Sequence, residues 1–327
     1  MSTQTKRNTY QRGMTLVEVM IAMVLGLLLT AGILQLFVSN KQTYRTTESI
    51  ARLQENGRFA TFFLTNDIRA ADFWGCRGQT ISIDNHLNAS ADFDTFRAAI
   101  EAIDNDTAVD NVINGTDTIT LKGTSGLGVA LTSLPNEAAA SFKVTDNSQL
   151  KENDIVLLSD CSDGDLLQIT NDPGAGGNAG FDNVIHATGG THTPGNLNKV
   201  LRSNYDGTDA RVYKLNISTY SIQQGTNGRN SLFKQTNGAT PQELVEDIEN
   251  MQILYGEDIT ADGIPNFYKT SNLVNMNNVV AVRISLVAVT AVDNINSQSS
   301  NHSISGNVDN RIRRTFTSTI VIRNRVP

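Results

Sequence analysis

The chain has 327 residues, 39% of them hydrophobic and 18% charged, with 26 Lys and Arg against 33 Asp and Glu and a net charge of −7. That length allows one large domain or two small ones, and the acidic balance argues against a general nucleic-acid binder, which needs a basic face to neutralise phosphates. The two Cys are too few for a Cys-only zinc site or an iron–sulfur cluster, and the four His, at 86, 186, 192 and 302, are scattered.

Charge is unevenly laid out. Residues 1–13 carry Lys6, Arg7 and Arg12 and no acid, so the remaining 23 of the 26 basic residues face all 33 acidic ones. A basic head, an apolar run and an acidic body form a membrane-insertion pattern. The run is residues 14–38, MTLVEVMIAMVLGLLLTAGILQLFV, whose one charge is Glu18. At ~1.5 Å per residue it is long enough for a ~30 Å hydrocarbon layer, and the basic head should hold residues 1–13 on the cytoplasmic side. A secretory signal has a shorter apolar stretch and then a small-residue cleavage site. Glu18 is out of place in a simple anchor, because a lone carboxylate there costs about 2–3 kcal/mol or more. It is read as functional, with a cationic partner to be found.

Arg12-Gly13-Met14-Thr15-Leu16-Val17-Glu18-Val19-Met20-Ile21-Ala22 resembles the class III signal of type IV pilins and pseudopilins. The resemblance implies a cut by a prepilin peptidase between Gly13 and Met14, N-methylation of Met14, and retention of Glu18. The family most often has Phe after the cut where this chain has Met14. The released amine and Glu18 are each costly unpaired in low dielectric. Two partners for Glu18 stay open: the amine of a neighbouring subunit, or the amine and first N–H groups of its own helix.

The helical pattern continues past the apolar run. Ile50, Leu53, Gly57, Ala60, Leu64, Ile68 and Ala71 recur at spacings of three and four, with Phe59, Phe62 and Phe63 widening the stripe. No Pro occurs before Pro135, so residues 14–71 are expected as one helix about 90 Å long. Its first half, 14–38, is apolar all round, and its second half, 39–72, is amphipathic. Gly26, Gly32 and Gly57 are places for bending or close approach. Phe73 and Trp74 are expected to plug the core where helix meets sheet. Leu53-Gln54-Glu55-Asn56-Gly57-Arg58-Phe59-Ala60, Asp67-Ile68-Arg69-Ala70-Ala71 and Trp74-Gly75-Cys76 narrow the resemblance to PilW-type minor pilins.

Residues 73–327 are expected to form a β-rich globular domain. Strands are predicted at 117–122, 154–159, 165–170, 211–222, 230–235, 251–256, 278–290 and 315–323, and a short helix at 243–250. Loops are predicted at 84–116, 171–198, 257–277 and 291–312. The expected fold is α+β and pilin-like, one long N-terminal helix packed on an antiparallel β-sheet body. Further stretches extend the resemblance: 154–161, 244–246 with 252–256, 280–284, Arg314-Thr315-Phe316-Thr317, and Arg323-Asn324-Arg325. A body beyond the membrane lies in an oxidising compartment, where Cys76 and Cys161 default to one disulfide. Closing that loop is worth about 4–5 kcal/mol in the chain-entropy model.

No catalytic set stands out, and no enzyme activity or cofactor is expected. Residues 174–179, GAGGNA, lack the following helix of a dinucleotide site. His186 and His192 have no third ligand in view, and Asp160, Asp163 and Asp165 read as a solvated loop. Asp258, Thr260, Asp262 and Asn266 take positions one, three, five and nine of an EF-type calcium loop, with Gly263 at six. Lys269 stands where a bidentate Glu is expected, so the set is incomplete and an Asp/Gly turn is the other reading. No metal is assigned.

The resemblance implies a minor pilin that helps to initiate type IV pilus assembly within a tip complex, supporting adhesion, twitching motility or DNA uptake. Implied partners are the prepilin peptidase, other minor pilins, the major pilin, a tip adhesin, and inner-membrane lipid before assembly, with no direct nucleic-acid contact. The implied location is the inner membrane with the body in the periplasm, then the fibre at the cell surface. The alternatives are a minor pseudopilin of type II secretion and a membrane-anchored binding domain.

Overall fold

The computed structural model describes residues 13–75, 82–88, 99–107, 111–133, 139–176, 180–202, 205, 209–291, 300–301 and 308–326. The chain divides into two compact units, Met1–Ala51 and Arg52–Pro327.

One helix, α1 (Leu16–Ala70), runs through 55 residues without a break. In the first unit its residues up to Arg45 are exposed on every side. The mean hydropathy of its most apolar window is 2.4, and by length and composition it can cross a membrane. In the second unit Leu53, Gly57, Ala60, Leu64 and Ile68 are buried, along the stripe that the spacing predicts. Burying Leu53, Leu64 and Ile68 contributes about 2 kcal/mol each. Phe63 packs partly against the core, but Phe59 and Phe62 are 50% and 57% exposed. The stripe is therefore narrower than expected, because the i+3/i+4 row alone fills the contact.

The helix ends where Asp72 takes φ 62°. Its last carbonyls are satisfied from the far end of the chain. Asn324 Nδ2 donates to the carbonyls of Ala70 (3.2 Å) and Ala71 (2.9 Å). Arg325 Nε pairs with Asp72 at 2.6 Å, while its Nη1 donates to the carbonyls of Met276 and Val279. Asn324 is thus the helix cap, and Arg325 ties Asp72, just past the helix end, to the start of β13.

In chain order the strands are β1 (Ser82–Asn85), β2 (Ile100–Asp106), β3 (Thr116–Ala130), β4 (Ser141–Thr145), β5 (Ile155–Ser159), β6 (Asp163–Gln168), β7 (Phe181–Ile185), β8 (Arg211–Gln224), β9 (Asn230–Thr236), β10 (Gln242–Glu246), β11 (Ile248–Glu257), β12 (Phe267–Lys269), β13 (Val279–Val289), β14 (Ser300–Asn301), β15 (Val308–Asp309) and β16 (Arg313–Val321). An eight-stranded sheet runs β1-β6-β5-β8-β3-β2, with β9 and β10 added on β8, and a four-stranded sheet runs β12-β11-β13-β16. Pairing is antiparallel throughout these sheets except for β1 beside β6. One core joins α1 to both sheets through Ile119, Tyr220, Leu232, Ile253, Tyr255, Ile284 and Ile320, among others. The fold is α+β and pilin-like, as expected.

Each of the eight predicted strands is present, with shifted ends. The predicted helix at 243–250 is not. Asp247 takes φ 59° and splits the segment into β10, which pairs with β9, and β11, which pairs with β13. Sheet pairing overrides the local helix pattern. The predicted loops also hold strands: β1 and β2 in 84–116 or at its edge, β7 in 171–198, and β12 in 257–277. These are short, polar and at sheet margins, so they lack a clean alternation. The predicted loop 291–312 likewise holds the short pair β14 and β15, and its residues 292–299 and 302–307 lie outside the described residues.

Gly57 has a packing reason. A Cβ there would stand 2.2 Å from the ring of Phe316 on β16. Gly57→Ala should destabilise the protein by about 1–2 kcal/mol, since the clash outweighs the roughly 1 kcal/mol helix-propensity gain. Chemical denaturation checks this, and adding Phe316→Leu should recover most of the loss. A stabilised single variant would mean the ring moves aside freely.

Candidate processing and assembly site

Gly13, Met14 and Thr15 precede the helix in non-regular, exposed backbone. A Cβ on Gly13 would meet nothing within 4 Å, and its φ is not in the left-handed region. Nothing in the fold of the chain itself demands glycine there.

Thr15 is the N-cap. Its carbonyl accepts from Val19 N at 3.2 Å, which starts the helix. Its Oγ1 accepts from Glu18 N at 3.3 Å, while Glu18 Oε2 accepts from Thr15 N at 2.9 Å and from Thr15 Oγ1 at 3.0 Å. This is a reciprocal capping box. The Thr-x-x-Glu spacing before an apolar run carries that signal in the sequence. Glu18 is exposed and folded back on the first turn of its own helix. Met14 N, which cleavage after Gly13 would free, is one residue from the amide that Glu18 already holds. Lys6, Arg7 and Arg12 lie outside the described residues.

The amphipathic half of α1 is held by a second set of polar contacts. Asp67 Oδ2 accepts from Tyr220 OH at 2.8 Å and from Lys234 Nζ at 2.6 Å. Asn56 Nδ2 donates to the Glu246 carbonyl at 3.0 Å. With Phe316 under Gly57 and Asn324 at the C-terminus, the contacts on α1 come largely from residues 220–324.

Two family models match the chain: "Type IV Pilus-assembly protein W" over residues 219–324, and "Prokaryotic N-terminal methylation motif" over residues 8–34. Both matches support a PilW-type minor pilin of the type IV pilus. Among curated proteins and among solved structures, nothing matches. The first match covers the part of the body that holds α1, from Tyr220 to Asn324. The second covers the capping box and the exposed Gly13. Together they point to a structural rather than an enzymatic protein, a membrane-anchored pilin that is later assembled into a pilus and that engages the prepilin peptidase and other pilus components.

The remaining sequence candidates belong to the second unit. Asp258 Oδ1 accepts from Thr260 N, Thr260 Oγ1 and Ala261 N, and its Oδ2 from Gly263 N. Those hydrogen bonds hold its carboxyl below the usual carboxylate range, against the opposing effect of desolvation. Asn266 Oδ1 accepts from Ile259 N, and Asp262 Oδ1 from Ile264 N. The oxygens face backbone donors, the geometry of an Asx-type turn. Cys161 is not a free thiol, and Cys76 lies outside the described residues. Residues Pro173–Gly176 form a 3-10 turn followed by β7, with 177–179 outside the described residues. His186 packs against Phe142, ring centroids 5.6 Å apart, and burial pushes its imidazole down to about 4. His192 Nδ1 instead lies 3.0 Å from Asn153 Oδ1.

Trp74 is half-buried against the small core cluster that includes Ile83, Leu157, Leu166 and Leu215, with Nε1 donating to Asp72 at 2.7 Å. Phe73 meets Tyr213 edge-on. Both sit at the junction that the sequence assigned to them.

Asp165 is a correction. It does not lie in a solvated loop but is fully buried. Its Oδ1 pairs with His86 Nε2 at 2.5 Å, its Oδ2 accepts from Tyr205 OH at 2.5 Å, and Arg202 N donates to both oxygens. Asp163 and Asp165 share one face of β6, but Asp163, at the start of the strand, stays partly exposed and takes Arg202 Nε at 3.1 Å, while His86, Arg202 and Tyr205 close over Asp165.

Proposed function

We propose that this minor pilin helps to initiate type IV pilus assembly as one member of a small minor-pilin complex near the tip, supporting adhesion, twitching motility or DNA uptake. The observation that carries the reading is Gly13. It answers to no need of its own fold, yet stands exposed just ahead of a capped apolar helix within the methylation-motif match. In this reading the peptidase cuts between Gly13 and Met14, Met14 is N-methylated, and the body lies in the periplasm. Cys76 and Cys161 form its disulfide. In the fibre Glu18 leaves Thr15 and takes the amine of a neighbouring subunit, pairing two groups that are each costly alone in low dielectric. A tip adhesin is a further partner.

The test combines a mass and a phenotype. The membrane-extracted protein should begin at N-methylated Met14, and a start at Met1 or beyond Val38 would sink the reading. Glu18→Ala should be processed normally while surface pili fall about tenfold or more, since an unmatched amine costs at least 1.4 kcal/mol. Normal piliation in that variant would remove the role given to Glu18. Deletion that stops enzyme secretion but leaves pili intact would assign the chain to a secretion pseudopilus instead.

A further inference from the structure

Strand β16 is an open sheet edge. It pairs with β13 on one side over nine consecutive residues with no register shift, and no other strand joins it among the described residues. Ile322 N donates to Val280 O and Thr290 N to Ile312 O, so even-numbered residues face β13 across the ladder. The N–H and C=O groups of Thr315, Thr317, Thr319 and Val321 therefore point outward. The side chains of these four residues are exposed. From 315 to 321 the sequence TFTSTIV has no charge and no Pro.

Such an edge invites another strand, and proteins normally blunt it. The other edges of the two large sheets are blunted. β1 has 4 residues and β12 has 3. β2 is interrupted by a register shift between Ile103 and Asp106, and β10 by one between Glu243 and Val245. Among the described residues, β16 alone combines length, regular register, β-branched residues and an uncharged centre.

We propose that the outer edge of β16 is a strand-addition site for an extended segment of a different polypeptide, β-branched at its centre and acidic at its ends. Charge selects the occupant. Arg314 and Arg323 are exposed, stand outside every ion pair among the described residues, and flank the uncharged run about 30 Å apart at ~3.4 Å per residue. Adding a second copy antiparallel with Ser318 opposite Ser318, which aligns the two uncharged runs, brings Arg314 of one copy beside Arg323 of the other at both ends. Like charges that close across a ladder are unfavourable, so self-addition in that register is disfavoured. Main-chain bonds supply affinity, and the acidic ends supply specificity. The site stands on strand geometry and does not depend on the pilus reading.

The probe is a synthetic peptide as long as β16, alternating Thr and Val with Glu at both ends, added to the full-length protein in detergent. A twin peptide carries Lys at both ends. Binding should slow amide exchange at Thr315, Thr317 and Thr319, and the Lys-ended twin should bind about tenfold more weakly. Thr317→Pro removes only an outward N–H, which an edge strand tolerates, and should abolish binding while leaving thermal unfolding unchanged. Should that variant misfold, the exchange pattern of the unaltered protein decides. Absence of binding, protection elsewhere, or equal binding of the two peptides overturns the proposal. So does concentration-dependent dimerisation that protects the same amides.

Discussion

Asp165→Ala should destabilise the body by about 4 kcal/mol or more, a loss few single substitutions cause. The carboxylate serves His86, Tyr205 and the Arg202 amide at full burial. Removing it leaves three polar groups without an acceptor, each costing about 1–3 kcal/mol. Burial together with the Asp165 charge holds the Tyr205 hydroxyl far above its ordinary range, fully protonated as a donor. Denaturant unfolding followed by Trp74 fluorescence reads the loss, because Trp74 packs against the core cluster that contains Leu166, the neighbour of Asp165. Asp163→Ala, which touches only a partly exposed pair, should cost about 1 kcal/mol or less. Equal losses in the two variants would mean that Asp165 is not the hub the geometry makes it.

The contrast between these aspartates shows what the sequence could and could not convey. The buried face of α1 was legible, because Leu53, Ala60, Leu64 and Ile68 repeat at the period of the helix and nothing else in the chain is needed to see it. The Gly13–Glu18 segment stands out in the sequence because it is local: the proposed cut, the carboxylate and the helix start fall within six residues. Thr15 belonged to the same local code and carried its signal in the spacing to Glu18.

Asp165 carried no such signal. Asp160, Asp163 and Asp165 look alike in sequence, and only the approach of His86, Arg202 and Tyr205 from two other segments separates them. The same holds for Asn324, which caps a helix ending some 250 residues earlier, for Arg325, which pairs with Asp72 just past that end, and for Phe316, whose ring makes Gly57 necessary. The segment 243–250 was misread for a related reason. Its apolar spacing suits a helix, but β9 and β13 supply ladders on either side of Asp247. Local pattern fixes the elements that stand alone, and remote partners decide the rest.

Asp117 should make stability rise on mild acidification. It sits 3% exposed on β3. Its oxygens accept from Asn105 N at 2.9 Å and Ile253 N at 2.6 Å. Burial nevertheless dominates, with the Asp104 carboxyl beside it acting in the same direction, and its carboxyl is pushed up to about 6 from 3.8. A raised acid binds its proton more readily in the folded than in the unfolded chain between those two values. Its contribution to stability is thus lost as pH rises through about 6, and it is regained as pH falls toward about 4. The whole shift is worth about 3 kcal/mol, and about 1.4 kcal/mol of it should appear between roughly pH 7 and pH 5. Carboxylates held low, such as Asp182 and Asp309, oppose it only at lower pH. Comparing the unfolding free energy of the unaltered protein and Asp117→Asn over that interval isolates the group. The difference between the two should move by about 1.4 kcal/mol in favour of the unaltered protein on going from pH 7 to pH 5. Parallel pH curves would show that Asp117 stays ionised, its two amide donors having outweighed its burial.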